Sequence, residues 1–237
     1  MIDLYQGDCL EIMKNIPDKS IDLILCDLPY GKTACKWDTV IPFDKLWEQY
    51  NRIIKDNGAV VLFGQEPFAS QLRMSNIKKY KYDWVWMKQQ GTNPLLAKIQ
   101  PLKKHELILV FGGKIKYIPQ MGTGKPYKSF RSDKKKIGVA SGGAKSVHKE
   151  NKGTRYPNSI LMFNTERTGL HPTQKPVDLC EYLIKTYTNE NDVVLDNCMG
   201  SGTVGVACKH LNRSFIGIEL DPNYFEIAKK RIDSELL

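Results

Sequence analysis

Two short segments of this chain carry residue types that could do chemistry, and they come in an informative order. The first is the turn Asp27-Leu28-Pro29-Tyr30-Gly31, at the end of the apolar run 21–26. The second is the loop Asp196-Asn197-Cys198-Met199-Gly200-Ser201-Gly202-Thr203, after the apolar run 193–195. Glu219 closes a further apolar run 17 positions beyond Gly202. A glycine-rich turn between strand and helix lets the backbone approach a ligand with no Cβ in the way. Gly200 and Gly202 supply that approach, and Ser201 and Thr203 can cap the following helix. Glu219 ends the next strand, where a carboxylate can take both ribose hydroxyls of a nucleoside. One Gly-x-Gly is more often just a tight turn. Strand, loop, helix, strand and acid in succession make nucleoside binding the stronger reading.

Gly205 falls where the third glycine of a dinucleotide loop would stand, so spacing alone does not exclude such a cofactor. Asp196 decides against it, because a carboxylate at the loop entrance repels phosphates. It suits instead a nucleoside with a cationic end, as S-adenosylmethionine has in its ammonium and sulfonium. The Asp27 pentapeptide by itself reads as a turn, with Pro29 fixing φ and Gly31 relieving strain. What raises it is its place at the carboxyl end of a buried strand, where open α/β sheets bind their ligands.

The elements that must position these segments alternate. Apolar runs at 2–5, 22–26, 59–63, 82–87, 106–111, 192–195 and 214–218 predict seven strands. Amphipathic stretches at 8–15, 43–55, 67–75, 176–187, 203–210 and 222–234 predict helices between most of them. Pro67 and Pro222 suit first-turn positions, and Asp221 suits an N-cap. The pattern is α/β: a doubly wound, mostly parallel, seven-stranded Rossmann-like sheet. Segment 112–165 breaks the rhythm with eight of the 18 glycines and the triplet Lys134-Lys135-Lys136. It reads as a lobe inserted into a core of 1–111 and 166–237.

The formal net charge of +9 resides in that lobe. Residues 112–156 hold 12 Lys+Arg against Asp133 and Glu150, while the remainder of the chain nets −1. An excess so localised favours a polyanion partner. At 237 residues and 41% apolar composition the chain can build a sizeable core and is not globally disordered. No apolar stretch approaches the roughly 20 residues of a membrane helix. The start lacks a basic n-region and an apolar h-region, which predicts no secretory signal and a cytoplasmic protein. Six cysteines without a Cys-x-x-Cys read as buried free thiols rather than a zinc site. The four tryptophans read as core or rim aromatics.

The Asp-x-x-x-Gly-Ser-Gly-Thr loop, the Asp-Leu-Pro-Tyr turn that precedes it, and the basic insert between them together resemble the amino-methylating DNA methyltransferases in their permuted, beta-class arrangement, of phage or bacterial type. The resemblance covers nearly the whole chain. It implies that Asp196, Gly200, Gly202 and Glu219, with Ser201 and Thr203 of the same loop, hold S-adenosylmethionine. It also implies that Asp27, Leu28, Pro29 and Tyr30 are catalytic, in the tetrapeptide usually written Asp-Pro-Pro-Tyr. Leu28 departs from that pattern, but the group used at its position is the backbone carbonyl. An exocyclic base amine is a poor nucleophile because its lone pair is delocalised into the ring. The Asp27 carboxylate and the Leu28 carbonyl would hold its two N–H bonds, favour a pyramidal nitrogen and aim the lone pair at the methyl group. Tyr30 would stack on the base once it leaves the duplex. No Pro-Cys pair is present for carbon-5 cytosine chemistry.

Supporting segments follow from the same resemblance. Thr173 and Lys175, in His171-Pro172-Thr173-Gln174-Lys175-Pro176, would reach the methionine carboxylate. Asp8, after the first strand, would accept from the adenine amino group, with an N-cap role as its rival. The insert would be the target-recognition region, where Lys134, Lys135, Lys136, Arg131 and Arg155 would track phosphates among aromatics and glycines. The partner implied is double-stranded DNA; a homodimer is compatible, and a cognate restriction enzyme is not determined. No metal is implied. The expected activity is direct methylation of adenine N6 on a flipped-out base, since N4-cytosine members more often carry Ser at the Asp27 position. N4-cytosine methylation is the alternative. RNA or protein-glutamine methylation fits the permuted order less well, and an inactive DNA-binding relative fits poorly with the intact motif residues.

Overall fold

Strands buried on both faces of a parallel sheet need near-continuous apolar sequence, and this chain supplies it. The computed structural model describes residues 1–31, 39–131, 147–165 and 174–234. The chain divides into two compact units, Met1–Ile118 with Ser159–Leu237, and Pro119–Asn158. In chain order the elements are β1 (Ile2–Gln6), α1 (Cys9–Met13), β2 (Ile21–Cys26), α2 (Phe43–Ile53), β3 (Ile54–Gly64), α3 (Phe68–Ser75), β4 (Tyr80–Thr92) and β5 (Lys103–Phe111). The smaller unit adds β6 (Gly122–Thr123), β7 (Tyr127–Arg131), β8 (Val147–Asn151) and β9 (Thr154–Arg155). Then come β10 (Ile160–Met162), α4 (Val177–Tyr187), β11 (Val193–Asp196), α5 (Thr203–His210), β12 (Ser214–Glu219) and α6 (Pro222–Ser234).

Eight strands form the main sheet in the order β1-β12-β11-β2-β3-β5-β4-β10. The pairs β3–β5 and β5–β4 are antiparallel and the others parallel. The seven expected strands are all in it. The eighth, β10, is a correction to that count: it pairs with β4 through three residues, too few for any periodicity to show. The six expected helices are present as well. Asp221 accepts from Asn223 N at 2.8 Å and so caps α6.

Side chains alternate between the sheet's two faces. Leu25, Phe63, Trp86 and Val194 pack with α4, α5 and α6, and Ile24, Leu62, Phe111 and Leu195 pack with α1, α2 and α3. Trp47, Trp84 and Trp86 are core residues as expected, while Trp37 lies outside the described residues. The five described cysteines are free, four of them buried. Among the described residues no helix is long and apolar enough to cross a membrane.

The site lies along one edge of this sheet. β1, β12, β11, β2 and β3 all end there, with Gln6 opposite Glu219 in register. Because β5 runs against β3, with Leu107 opposite Gly64, it is the start of β5 that reaches the same edge. The smaller unit consists of two antiparallel ribbons, β6–β9 and β7–β8. Gly153 turns between β8 and β9 at φ +107°, where a Cβ would sit 2.7 Å from the Gly124 carbonyl.

Candidate active site

The loop after β11 is built around its acids. Asp196 is 3% exposed, and its Oδ1 accepts from Cys198 N at 3.1 Å. Gly200 and Gly202 adopt φ of +52° and +78°, the left-handed region that disfavours a side chain. The turn directs Gly200 N onto Glu219 Oε2 at 2.8 Å, while Glu219 Oε1 accepts from Asp221 N at 2.9 Å. Asn197 is fixed by the Tyr50 hydroxyl, which donates to its Oδ1 at 2.5 Å.

Ser201 and Thr203 do not cap α5, contrary to expectation. Gly202 itself occupies the N-cap without a side-chain bond, and the Thr203 hydroxyl instead accepts from Arg231 Nη1 at 2.9 Å. The glycines also serve packing. A Cβ on Gly202 would lie 3.0 Å from Ala228 and Ile232, and one on Gly205 would lie 2.4 Å from Ile232. That close approach of α6 explains the third glycine without a dinucleotide.

A cavity of about 800 Å³ opens along the strand ends. Gly7, Asp8, Asp196, Gly200, Ser201, Thr203 and Glu219 line one end, and Asp27, Leu28, Pro29, Tyr30, Gln65 and Glu106 line the other. Burial pushes the Asp196 carboxyl up to about 7, helped by the charges of Asp27 and Glu219 and opposed by bonds from Cys198 N and the Cys26 thiol. Burial also raises Glu219, against its backbone N–H donors. Asp8 proves to be the cap of α1: its Oδ1 accepts from Leu10 N at 2.7 Å, so the structural role is filled at the cavity wall.

At the other end Asp27 is held by side chains. The Tyr30 hydroxyl donates to Oδ1 at 2.6 Å, and Lys175 Nζ donates to Oδ2. The Tyr30 ring lies 4.7 Å from that of Phe68, and burial followed by the charges of Asp27 and Glu106 keeps its hydroxyl protonated. Lys175, expected at a cofactor carboxylate, has its ammonium against Asp27 and 3.6 Å from Glu106. Burial disfavours that ammonium, but the two carboxylates outweigh burial and raise its pKa.

Glu106, Lys88 and Gln65 are residues that sequence reasoning missed. Glu106 Oε1 pairs with Lys88 and accepts from Gln65 Nε2 at 3.0 Å. Burial would raise the Glu106 carboxyl, yet Lys175 and Lys88 hold it below its usual range. A Glu in an apolar run, next to a His, carries no local sign of this.

Thr173, Lys134, Lys135 and Lys136 lie outside the described residues, and of Arg131 only the backbone is described, in β7. Arg155, in β9, reaches the neighbouring β7–β8 ribbon: its Nη1 donates to Asn151 Oδ1 at 2.6 Å, and its guanidinium lies 4.8 Å over the Tyr127 ring.

Comparison with known proteins bears on the whole of this architecture. The profile of the N6/N4 methyltransferase family, described as DNA methylase, matches residues 21–230. The chain is 32% identical to the Type II methyltransferase M.HpaI of Haemophilus parainfluenzae, over 98% of this chain and 74% of that protein. It is 27% identical to the DNA adenine methyltransferase YhdJ of Escherichia coli (strain K12), over 97% and 82%. Among solved structures, the M1.HpyAVI–SAM complex superposes with a TM-score of 0.67 at 28% identity, over 98% of this chain and 100% of that one.

Proposed function

The chain belongs to the N6/N4 DNA methylase family and is an S-adenosylmethionine-dependent DNA methyltransferase, and from that premise we propose that its target is the N6 amine of adenine, flipped out of the duplex. The observation that carries this is the continuous cavity from Asp196, Gly200 and Glu219 to Asp27, Leu28 and Tyr30. Two buried carboxylates beside left-handed glycines suit a nucleoside with a cationic end, and the cofactor supplies a methyl group on positively charged sulfur.

The roles of the chain's own groups follow from their placement. Each Glu219 oxygen already has one backbone N–H and keeps acceptor capacity for a ribose hydroxyl. Asp196 favours the cationic end. Asp27 and the Leu28 carbonyl take the two N–H bonds of the target amine, which pyramidalises the nitrogen and aims its lone pair. Tyr30 offers a ring face to a base that has left its stack.

No protein nucleophile is needed. Burial raises the Cys26 thiol to about 12, and Cys9 is raised by its bond to Cys198 and by burial, so neither is a thiolate near neutral pH.

Adenine is favoured over cytosine by Asp27 and by the kinship to YhdJ. In the basic insert, Lys134, Lys135, Lys136 and Arg131 would contact phosphates, with Arg155 tying β9 to the β7–β8 ribbon. The setting is the cytoplasm of a bacterial or phage-infected cell, and the partner is double-stranded DNA.

The test is to incubate the protein with labelled S-adenosylmethionine and DNA, digest, and identify the nucleoside. N6-methyladenosine as its deoxy form is expected. N4-methyldeoxycytidine would replace adenine by the alternative base, and label in RNA or protein but not DNA would overturn the assignment.

A further inference from the structure

Glu106, four residues into β5, has no task in the reaction as derived, and its two oxygens are unequal. It is 5% exposed and lines the base end of the cavity. Oε1 is taken by Lys88 and by Gln65 Nε2. Oε2 is buried and accepts no hydrogen bond from any described residue; Lys175 Nζ lies 3.6 Å away. Buried acceptors are rarely left open, so this one calls for a partner that arrives later.

Asp27 has the complementary difficulty. Both its oxygens are occupied, Oδ1 by the Tyr30 hydroxyl and Oδ2 by Lys175 Nζ. Each oxygen keeps a second lone pair. The Lys175 ammonium on Oδ2 nevertheless offsets the charge that a target N–H would meet, so moving it off would strengthen the bond Asp27 offers the amine. The tyrosine is anchored by its ring against Phe68, whereas lysine has a long, adjustable stem.

We propose that Lys175 Nζ passes from Asp27 Oδ2 to Glu106 Oε2 when the target amine enters, which makes Glu106 a positioning residue that frees Asp27 for the base. This rests on Asp27 being the amine acceptor. Closing 3.6 Å to the roughly 2.8 Å of a charge-assisted hydrogen bond needs a shift of about 1 Å. No bond or proton moves. Lys88 and Gln65 fix Glu106 so that it waits rather than follows, and the Phe63 ring, 5.1 Å from the ammonium, supports the cation. The row Lys88–Glu106–Lys175–Asp27 stays neutral throughout.

Glu106→Gln keeps the shape and removes the charge that would draw Lys175 away. Its S-adenosylmethionine affinity should match the parent. Single-turnover methyl transfer should fall by about 10- to 100-fold, and a fluorescent adenine analogue at the target should show weaker base capture at equal duplex binding. Adding Lys175→Met to Glu106→Gln should restore transfer several-fold, since the competitor for Asp27 is gone. Glu106→Asp, which keeps the charge but shortens the reach, should fall between parent and Glu106→Gln, and serves if Glu106→Gln does not fold. Parent-like transfer in Glu106→Gln, or no gain in the double variant, would overturn the proposal. Asp27→Asn separates the two levels. If it is inactive while Glu106→Gln is parent-like, only the lysine transfer fails; if it is active, the amine-acceptor role fails with it.

Discussion

The two ends of the cavity hold their carboxylates in different ways. At the cofactor end, Asp196 and Glu219 accept backbone N–H groups of the two strand-end turns there, from Cys198, Gly200 and Asp221. At the base end, Asp27 and Glu106 are held by the side chains of Tyr30, Lys175, Lys88 and Gln65, drawn from four separate segments. Backbone donors cannot leave without unmaking the loop, so the cofactor end is preorganised. Side-chain donors can exchange partners, as a site must if it admits a base that arrives from a duplex. One cavity thus combines a fixed grip with an adjustable one.

The sharpest way to break this comparison is at Asp27. Asp27→Asn removes an anionic acceptor needed in the transition state, and turnover on DNA should fall by about 10²- to 10³-fold. Single-turnover assays at saturating DNA would show it, and a loss below fivefold would remove Asp27 from the chemistry.

Glu219→Ala should act next most strongly. Losing its bonds to a ligand should cost about 1.5–3 kcal/mol, or roughly tenfold to 150-fold in cofactor affinity. Because Gly200 N and Asp221 N also lose their acceptor, thermal stability without cofactor should drop too. Unchanged stability would mean the fixed grip is not structural.

The Asp196 carboxyl, raised by burial to about 7, gives the cofactor end a pH signature. A cationic ligand favours the ionised form, so binding should release protons, and affinity should weaken up to about tenfold per unit as pH falls below 7. For folding the sign is opposite: the native state binds the extra proton. Its stability contribution is full below the ordinary carboxyl range and is lost as pH rises towards 7. Titration calorimetry in buffers of different ionisation enthalpy would detect the proton, and a pH-independent affinity would contradict the assignment.

The smallest effect sharpens the packing role of the glycines. Gly202→Ala should cost about 1–2 kcal/mol, from its φ of +78° and the 3.0 Å approach of Ala228 and Ile232. A denaturant midpoint equal to the parent's would show that α6 yields freely.

Most of the fold was legible in the chain because parallel strands and their covering helices have strong, local signatures, as in β2, where all six residues are buried. The motif acids were legible for the same reason, since each follows a parallel strand at its carboxyl end. Glu106 was not, because β5 is antiparallel and presents its start to the site. Lys175 was legible as a residue of interest but not by its partner, since its tie to Asp27 spans 148 positions and depends on the sheet order. Ser201 and Thr203 looked like caps because hydroxyls beside glycine usually are; a left-handed Gly202 pre-empted them.

The division of labour between the two ends is tested most directly by titrating S-adenosylmethionine calorimetrically into Asp27→Asn and Glu219→Gln side by side. Parent-like affinity in Asp27→Asn and clearly weakened affinity in Glu219→Gln are expected. Equal losses in both variants, or a greater loss in Asp27→Asn, would contradict the separation of a fixed cofactor grip from an adjustable base grip.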